Sequence, residues 1–151
     1  MLFCERVIRG DDQILTLVRV IGGIEITIDA DAPADFPSEA NRIPIQFESV
    51  ATLKAGKAAG EHKIRIEMIS PSGKHSESTD QTVTVPEPEN GTANLITRHT
   101  VYIKKGGIFY FDVFVDDVFG TRVPFGITVT RSPPIAEAAI DRERTSEPSS
   151  A

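Results

Sequence analysis

Two groups of aspartates are the residues whose type and spacing best suit chemistry. Asp29, Asp31 and Asp35 lie in one predicted loop, and Asp116 and Asp117 lie in a predicted turn. Loops at one end of a β-sandwich can converge, and carboxylate oxygens are ligands that calcium takes. The spacing is not that of an EF-hand, and acidic side chains also serve simply to keep turns solvated. A calcium or small-ligand site made of these aspartates is therefore kept as an alternative hypothesis.

A second arrangement, Asp112 followed by Asp116, suggests the paired carboxylates of a hydrolase. Residues four apart in a strand lie on the same face, roughly 13 Å apart. Glycosidase carboxylates are separated by only about 5 to 9.5 Å. The histidines, His62, His75 and His99, stand in no recognisable catalytic motif. These spacings do not favour enzymatic hydrolysis.

Other catalytic and cofactor motifs are absent from the sequence. It has no GxSxG nucleophile elbow, no phosphate-binding P-loop, no HExxH zinc motif and no pair of CxxC motifs. Cys4, the single cysteine, is interpreted as a small buried hydrophobic residue, because nothing beside it would lower its pKa. We therefore expect a protein that is not an enzyme and that needs no cofactor.

The composition is that of an ordinary soluble protein with one domain. The chain has 151 residues, of which 40% are hydrophobic and 25% are charged, and its net charge is −6. This charge disfavours nucleic acid and anionic membranes as partners, because both require a cationic surface. The first residues do not form a secretory signal, and the apolar runs are too short to cross a bilayer. The expected location is the cytoplasm.

The elements that must position these residues follow a period of two. Ile64, Ile66 and Met68 alternate with charged residues, which is typical of a strand with one buried face. Turn residues separate similar segments at residues 2–8, 14–21, 24–28, 43–54, 81–85, 95–104, 106–117 and 123–129. The pattern predicts an all-β fold, an antiparallel two-sheet β-sandwich of immunoglobulin-like architecture over residues 1–131. Residues 132–151 are expected to form a short helix and a disordered tail.

One segment, GGIFYFDVFVDD, has apolar residues on both faces of a predicted strand. Phe109 and Phe111 point to one face, and Ile108, Tyr110 and Phe114 point to the other. If the second set were exposed, it would form a patch on the order of 300 to 400 Å², which is large for a monomer. We therefore expect something to cover it.

Three covers for this face are open. The predicted C-terminal helix could fold back and lay Ile135, Ala139 and Ile140 on it, which is the plainest structural explanation. A second copy of the chain could cover it, or a different protein could do so. The leading functional hypothesis is a non-enzymatic interaction or assembly module, whose partner is a protein or a second copy and whose contact surface is this face.

Three segments of the sequence resemble, in order, an uncharacterised family of small bacterial domains. They are LFCERVIRGDDQILTLVRVIGGIEI, GEHKIRIEMISPSGK and FYFDVFVDDVFGTRVPFGITV. Each is similar to that family's pattern of strand and turn, and together they extend from Leu2 to about Val129. The acidic loop at residues 29–41 and the C-terminal tail depart from the pattern. The family is of unknown function, so the resemblance implies a β-sandwich and no catalytic residues.

Overall fold

Every regular element that the structure describes is a β-strand. The computed structural model describes residues 1–12, 14–54, 59–76, 78–87 and 91–133. The strands are β1 (Leu2–Arg9), β2 (Leu15–Ile21), β3 (Gly23–Ile28), β4 (Ile43–Lys54), β5 (Gly60–Ile69), β6 (Thr79–Val85), β7 (Thr92–Ile103), β8 (Gly107–Val115) and β9 (Val118–Arg131). The all-β prediction is confirmed. The predicted C-terminal helix and tail, apart from Ser132 and Pro133, lie outside the described residues.

The strands form two sheets whose order does not follow the sequence. Sheet A has four strands in the order β2-β1-β4-β7, and sheet B has five in the order β3-β9-β8-β5-β6. Sheet B is curled into a half-barrel. Across the described parts of the chain, no helix is long and apolar enough to cross a membrane.

One pair of neighbouring strands departs from the predicted antiparallel arrangement. β3 pairs in parallel with β9, from Gly23 opposite Gly126 to Ile28 opposite Arg131. The other strand pairs are antiparallel, as predicted. Only Gly22 separates β2 from β3, so the chain crosses from sheet A to sheet B without reversing its direction. In sheet B, β3 runs the same way as β9.

The core lies between the two sheets and is built on four phenylalanines. Phe3 and Phe47 of sheet A face Phe111 and Phe125 of sheet B, and all four are buried. The Phe47 and Phe125 rings are stacked with their centroids 4.6 Å apart, and the Phe3 and Phe111 centroids are 4.9 Å apart. Aromatic pairs at these separations attract each other beyond the effect of the area that they bury. These contacts define the inner and outer face of each sheet.

The hairpin between β8 and β9 is closed by Asp116 and Asp117. Val115 pairs with Val118, so the loop has two residues, and their φ angles are 51° and 64°. Two successive positive φ values are typical of the type I′ turn, whose twist matches that of the flanking strands. Aspartate tolerates this backbone conformation better than most residues do. Turn geometry therefore accounts for both aspartates.

β1 and β2 extend past the rest of sheet A as a two-stranded arm. β1 pairs with β4 through residues 2–4, while residues 6–9 pair with β2. Where β1 leaves β4, the Val7 amide donates a hydrogen bond of 2.5 Å to the Glu48 carboxylate, which takes the place of a strand partner. Within the described sheets β2 is an edge strand, with β1 as its one neighbour.

Candidate interaction surfaces

The contact residues predicted from the sequence lie together on the outer face of sheet B. Ile108, Tyr110 and Phe114 alternate along β8 with core residues that point inward. Ile108 is 52% exposed, whereas Tyr110 and Phe114 are partly buried. The structure thus brings the three residues to one face but leaves them unequally accessible.

Two arginine side chains lie over the two aromatic rings of this face. The guanidinium carbon of Arg65, on β5, is 4.3 Å from the centre of the Phe114 ring. The guanidinium carbon of Arg122, on β9, is 5.4 Å from the centre of the Tyr110 ring. A guanidinium within about 6 Å of a ring centre is attracted to the negative face of the ring. The arginines therefore shield part of both rings from water.

Carboxylates hold both arginines in place. Asp112 is 5% exposed and accepts two hydrogen bonds from Arg122, at 2.6 and 2.7 Å. Hydrogen bonding to Arg122, aided by its charge, lowers the pKa of Asp112 although burial acts to raise it. Arg65 donates a hydrogen bond to Glu67 and lies 3.4 Å from Asp117. The two-pronged contact of Arg122 fixes its orientation as well as its position.

Part of the cover of the Tyr110 and Phe114 rings therefore comes from within sheet B. Arg65 stands directly opposite Phe114 on the neighbouring strand, and Arg122 stands opposite Asp112, two residues from Tyr110. This cover is not among the three that were considered from the sequence, namely a C-terminal helix, a second copy and a different protein. Ile108 is left as the most exposed of the three predicted contact residues.

Ile108 lines an open groove of about 640 Å³ on sheet B. The loop at residues 34–37 forms one side, and residues 104–107, which link β7 to β8, form another. Residues 126–129 of β9 lie between them. The groove is lined mostly by apolar side chains and bare backbone, and its charged lining residues are Asp35, Lys104 and Lys105.

The aspartates considered as metal ligands do not converge. Asp29, Asp31 and Asp35 follow β3, which pairs with the last residues of β9. Asp116 and Asp117 precede the first residue of β9. The length of β9 separates the two groups by on the order of 40 Å along the strand. Among the residues that the structure describes, no three His, Cys, Asp or Glu side chains are placed to hold a metal ion.

Other groups of the protein already engage both acidic segments. The Asp116 carboxylate accepts hydrogen bonds from His62 Nδ1 at 2.7 Å and from the Lys63 amide at 2.9 Å. The bond to His62 is the main reason why the pKa of Asp116 is lowered. The Arg131 guanidinium donates to backbone carbonyls of the other acidic loop, including that of Ala32 at 2.5 Å. The positive charge beside these carbonyls is an arginine, so the geometry gives no support to a calcium site.

The remaining titratable candidates are packing groups. His99 lies at the core and its ring hydrogen bonds with Ser49 Oγ at 2.8 Å. Burial lowers the pKa of His99 to about 4, so the ring is neutral at pH 7. Cys4 is fully buried, and burial raises the pKa of its thiol. A neutral buried imidazole and a protonated buried thiol are typical of structural positions rather than of catalysts.

A second apolar surface lies on the outer face of sheet A and is absent from the sequence predictions. Leu2 and Ile8 on β1 are 53% and 47% exposed, and Val20 on β2 is 58% exposed. Val18, which is partly buried, is two residues from Val20 and stands opposite Arg6. The register of β1 and β2 places these four side chains on the face opposite to the buried Phe3. We call Leu2, Ile8, Val18 and Val20 the aliphatic stripe.

The aliphatic stripe adjoins outer-face residues that are almost excluded from water. Cys4, Glu48 and Val50 point to the same face and are buried. The Glu48 carboxylate bonds to the Val7 amide and to Arg98, at 3.0 Å for Arg98 Nη2. These bonds, the first above all, lower the pKa of Glu48. The stripe thus lies on a packed part of the sheet and is bordered by an ion pair.

The sequence does contain a signal for the aliphatic stripe. β1 carries apolar residues on both of its faces, because Leu2, Cys4 and Ile8 alternate with Phe3 and Val7. β2 does the same. This is the two-faced pattern that led to the prediction of a contact surface on β8, and applied to the first two strands it identifies the stripe.

The chain belongs to the family of unknown function DUF6941, whose model matches residues 4–128. This confirms the resemblance to an uncharacterised family, over almost the same residues as predicted. A search of curated proteins finds no match to the chain.

Proposed function

We propose that the chain is a non-enzymatic protein-interaction module and that the aliphatic stripe is its contact surface. Its partner is a protein, either a different one or a second copy of the chain. An immunoglobulin-like sandwich working in the cytoplasm of a bacterium belongs to the same proposal. The phenylalanine core shared by two sheets supports the sandwich, and the negative net charge and single buried cysteine support the location.

The observation that carries the proposal is the exposure of neighbouring aliphatic side chains on one sheet face. Leu2 is two residues from Cys4 on the same face and Val20 stands opposite Cys4, while Val18 stands opposite Arg6, which is two residues from Ile8. Single exposed apolar residues are normal on any protein surface, whereas contiguous ones mark sites of interaction. The stripe groups four aliphatic side chains on one face of two paired strands, with Arg6 and Thr16 among them.

The charged residues within and beside the stripe also fit an interface. Arg6 lies on the same face between Cys4 and Ile8, and Arg98 pairs with Glu48 on the neighbouring strands. Protein interfaces commonly combine an apolar centre, depleted in charge, with a polar rim. The rim charges would orient a partner, and the aliphatic centre would supply most of the attraction.

The free edge of β2 is a second attachment point beside the stripe. A partner strand can pair with an exposed edge and lay its alternate side chains on the adjacent face. Arg19, in the middle of β2, has φ 48°, which interrupts the extended backbone that such pairing needs. Contact through side chains is therefore expected to matter more than a long backbone ladder.

The carboxylates with shifted pKa values do not suit the role of a general acid. The carboxylates of Glu48, Asp112 and Asp116 have lowered pKa values because each accepts hydrogen bonds from basic side chains or backbone amides. A general acid that works near neutral pH needs the opposite shift. These carboxylates position their partners and stay ionised.

The proposal is tested by placing a photo-crosslinking amino acid at Val20 of the full chain in cells that make it. The control places the same amino acid at Thr84, which is exposed on β6 of sheet B. We expect discrete adducts from position 20 that are absent at position 84. Adducts that are the same at both positions, or no adduct at position 20, would overturn the proposal.

The two kinds of partner are separated by sedimentation of the purified chain. Self-association that Val20→Thr weakens identifies a second copy as the partner. A monomer in solution whose position-20 adduct contains a foreign sequence identifies a different protein. Self-association that Val20→Thr leaves unchanged places the contact elsewhere on the molecule and contradicts the assignment of the stripe.

A further inference from the structure

We propose that the groove beside Ile108 holds a segment of this same chain, residues 134–141, with the sequence PIAEAAID. The groove is on sheet B and the aliphatic stripe is on sheet A, so this inference is independent of the proposed function. It rests on the shape of the groove, on the point from which the segment departs and on the match between their chemistries.

The shape of the groove comes from two glycines. A Cβ added at Gly126 would meet nothing within 4 Å, so the space above this part of β9 is open. A Cβ at Gly106 would come within 2.8 Å of the Ile127 carbonyl oxygen, so residues 106–107 approach β9 closely because they carry no side chain. The result is a surface of bare backbone beside the exposed Ile108. Its volume, about 640 Å³, is within the range of sites that bury a small ligand.

The segment departs from the chain close to this groove. The Ser132 amide donates a hydrogen bond of 2.8 Å to the Ile28 carbonyl, which fixes the end of β9 beside β3. The Arg131 side chain bonds to carbonyls of the loop whose residues 34–37 form one side of the groove. Thr128, which lines the groove, is four residues before Ser132, roughly 13 Å along the strand.

The segment is long enough to return to the groove. Eight residues span up to about 26 Å when extended, twice the distance from Ser132 back to Thr128. Because β9 runs away from the groove, the segment has to turn back, and Pro133 and Pro134 stand where that turn would occur. Prolines are favoured in turns because their φ angle is already fixed.

The chemistry of the segment matches that of the groove. Ile135 and Ile140 are the large apolar side chains of residues 134–141, and the segment also carries Glu137 and Asp141. The groove offers the exposed Ile108 for apolar contact and two lysines, Lys104 and Lys105, for the acidic groups, although Asp35 also lines it. Lys104 also bonds to Glu39, so Lys105 is the more available cation. In the groove, the segment would pack isoleucine against Ile108 and place its carboxylates near lysine, so it matches both the apolar and the charged part of the lining.

The first test is a disulfide-trapping experiment in the full chain. Ile108→Cys is combined with Ala139→Cys, and the control combines Val118→Cys with Ala139→Cys. Val118 is exposed at the opposite end of β9. A disulfide to this position therefore reports how often residue 139 meets a surface where no binding is proposed. We expect the first pair to show an effective concentration at least about tenfold above that of the control, independent of protein concentration. Peptide mapping assigns the bond, and the buried Cys4 stays reduced.

Two results of this experiment would overturn the inference. Equal effective concentrations for the two pairs would show that the segment does not prefer the groove. Disulfides between molecules that increase with protein concentration would assign the groove to a second copy.

Amide spectra of the full chain give a separate test that needs no new cysteine. Ile135→Asp with Ile140→Asp should shift the amides of Ile108, Thr128 and Phe36, while Ser149→Asp with Ser150→Asp should leave them in place. Unchanged groove amides in the isoleucine variant would contradict the inference. If the crosslinks at position 20 fail but these shifts appear, the proposed function is wrong and the groove assignment stands.

Discussion

Both sheets carry apolar side chains on their outer faces, but two aromatic ones on sheet B are partly covered, whereas several aliphatic ones on sheet A are exposed. On sheet B, the Tyr110 and Phe114 rings lie under Arg122 and Arg65. On sheet A, Leu2 and Val20 are both more than half exposed. Along the strands themselves the sequences look alike, since apolar residues occupy both faces in each case. What differs is the side chain that the neighbouring strand places beside them.

This difference shows how to separate a covered apolar residue from an available one. Phe114 stands opposite Arg65, whose long side chain reaches over the ring. Val20 stands opposite Cys4, whose short side chain covers nothing. Arginine combines an apolar stem with a charged tip, so it shields a ring while staying hydrated. Cross-strand pairing therefore decides which outer face is left for a partner.

The largest expected change in stability comes from His99, in the core between the two sheets. The folded-state pKa of His99, about 4, is below its ordinary value of 6.5. The unfolded chain therefore binds a proton more readily. The free energy of unfolding should be highest above pH 6.5 and fall by about 3 kcal/mol as pH drops toward 4. Urea denaturation across this range measures it.

The control for this prediction removes both members of the His99 and Ser49 hydrogen bond. His99→Phe with Ser49→Ala removes both polar groups of this pair, so neither is left buried without its partner. Its free energy of unfolding should depend much less on pH between 6.5 and 4. An unchanged slope in the double variant would assign the acid sensitivity to other groups.

The next largest change in stability is expected when Arg122, which lies over the Tyr110 ring on sheet B, loses its carboxylate partner. Asp112→Ala removes the carboxylate that orients Arg122 and should lower the free energy of unfolding by about 2 kcal/mol. This loss is smaller than that for a fully buried ion pair, because the Arg122 side chain is half exposed. Asp80→Ala is the matched control, since Asp80 pairs with Lys63 where both are exposed. Asp80→Ala should lower the free energy of unfolding much less than Asp112→Ala does. Similar losses for the two variants would show that the Asp112 pair is an ordinary surface contact.

Arg65→Met tests the cation over the ring while keeping an apolar side chain. Loss of the contact with Phe114, together with the bond to Glu67, should lower the free energy of unfolding by about 1 kcal/mol. Arg19→Met on sheet A, where the arginine is exposed and pairs with Glu5, is the control. A loss no larger than in the control would mean that the guanidinium adds nothing to the cover, and the contrast between the faces would then rest on Arg122.

The smallest effect on stability is expected at the aliphatic stripe. Val20→Thr keeps the branched shape of the side chain and should change the free energy of unfolding by less than about 0.5 kcal/mol. It should nevertheless weaken the contact detected by crosslinking at a neighbouring stripe position, Val18. A stability loss above about 1 kcal/mol would show that Val20 packs within the fold and is not a free contact residue.

Much of the fold follows from the sequence because strands leave a local signal. The alternation of Ile64, Ile66 and Met68 with charged residues gives β5 directly, and the turn residues divide the remaining strands. The parallel pairing of β3 with β9 does not follow, because those strands are about a hundred residues apart and their pairing depends on the direct crossing at Gly22.

The candidate surfaces were harder to predict for the same reason. Phe114 and Arg65 are far apart in the sequence, and only the register of β5 and β8 brings them together. The acidic segments looked like one site because loops at one end of a sandwich converge, but β9 holds them apart. By contrast, the two-faced pattern of β1 was visible in the sequence and predicts the stripe once sheet order is known.

The crossing at Gly22 also has a mechanical consequence. Because β2 runs into β3 through one residue, tension applied to β2 by a bound partner passes straight into the ladder between β3 and β9. That ladder has evenly spaced hydrogen bonds along parallel strands, so a pull along its axis loads many bonds at once in shear instead of opening them one after another. β2 is thus held in sheet A by its pairing with β1 and connected to sheet B through Gly22.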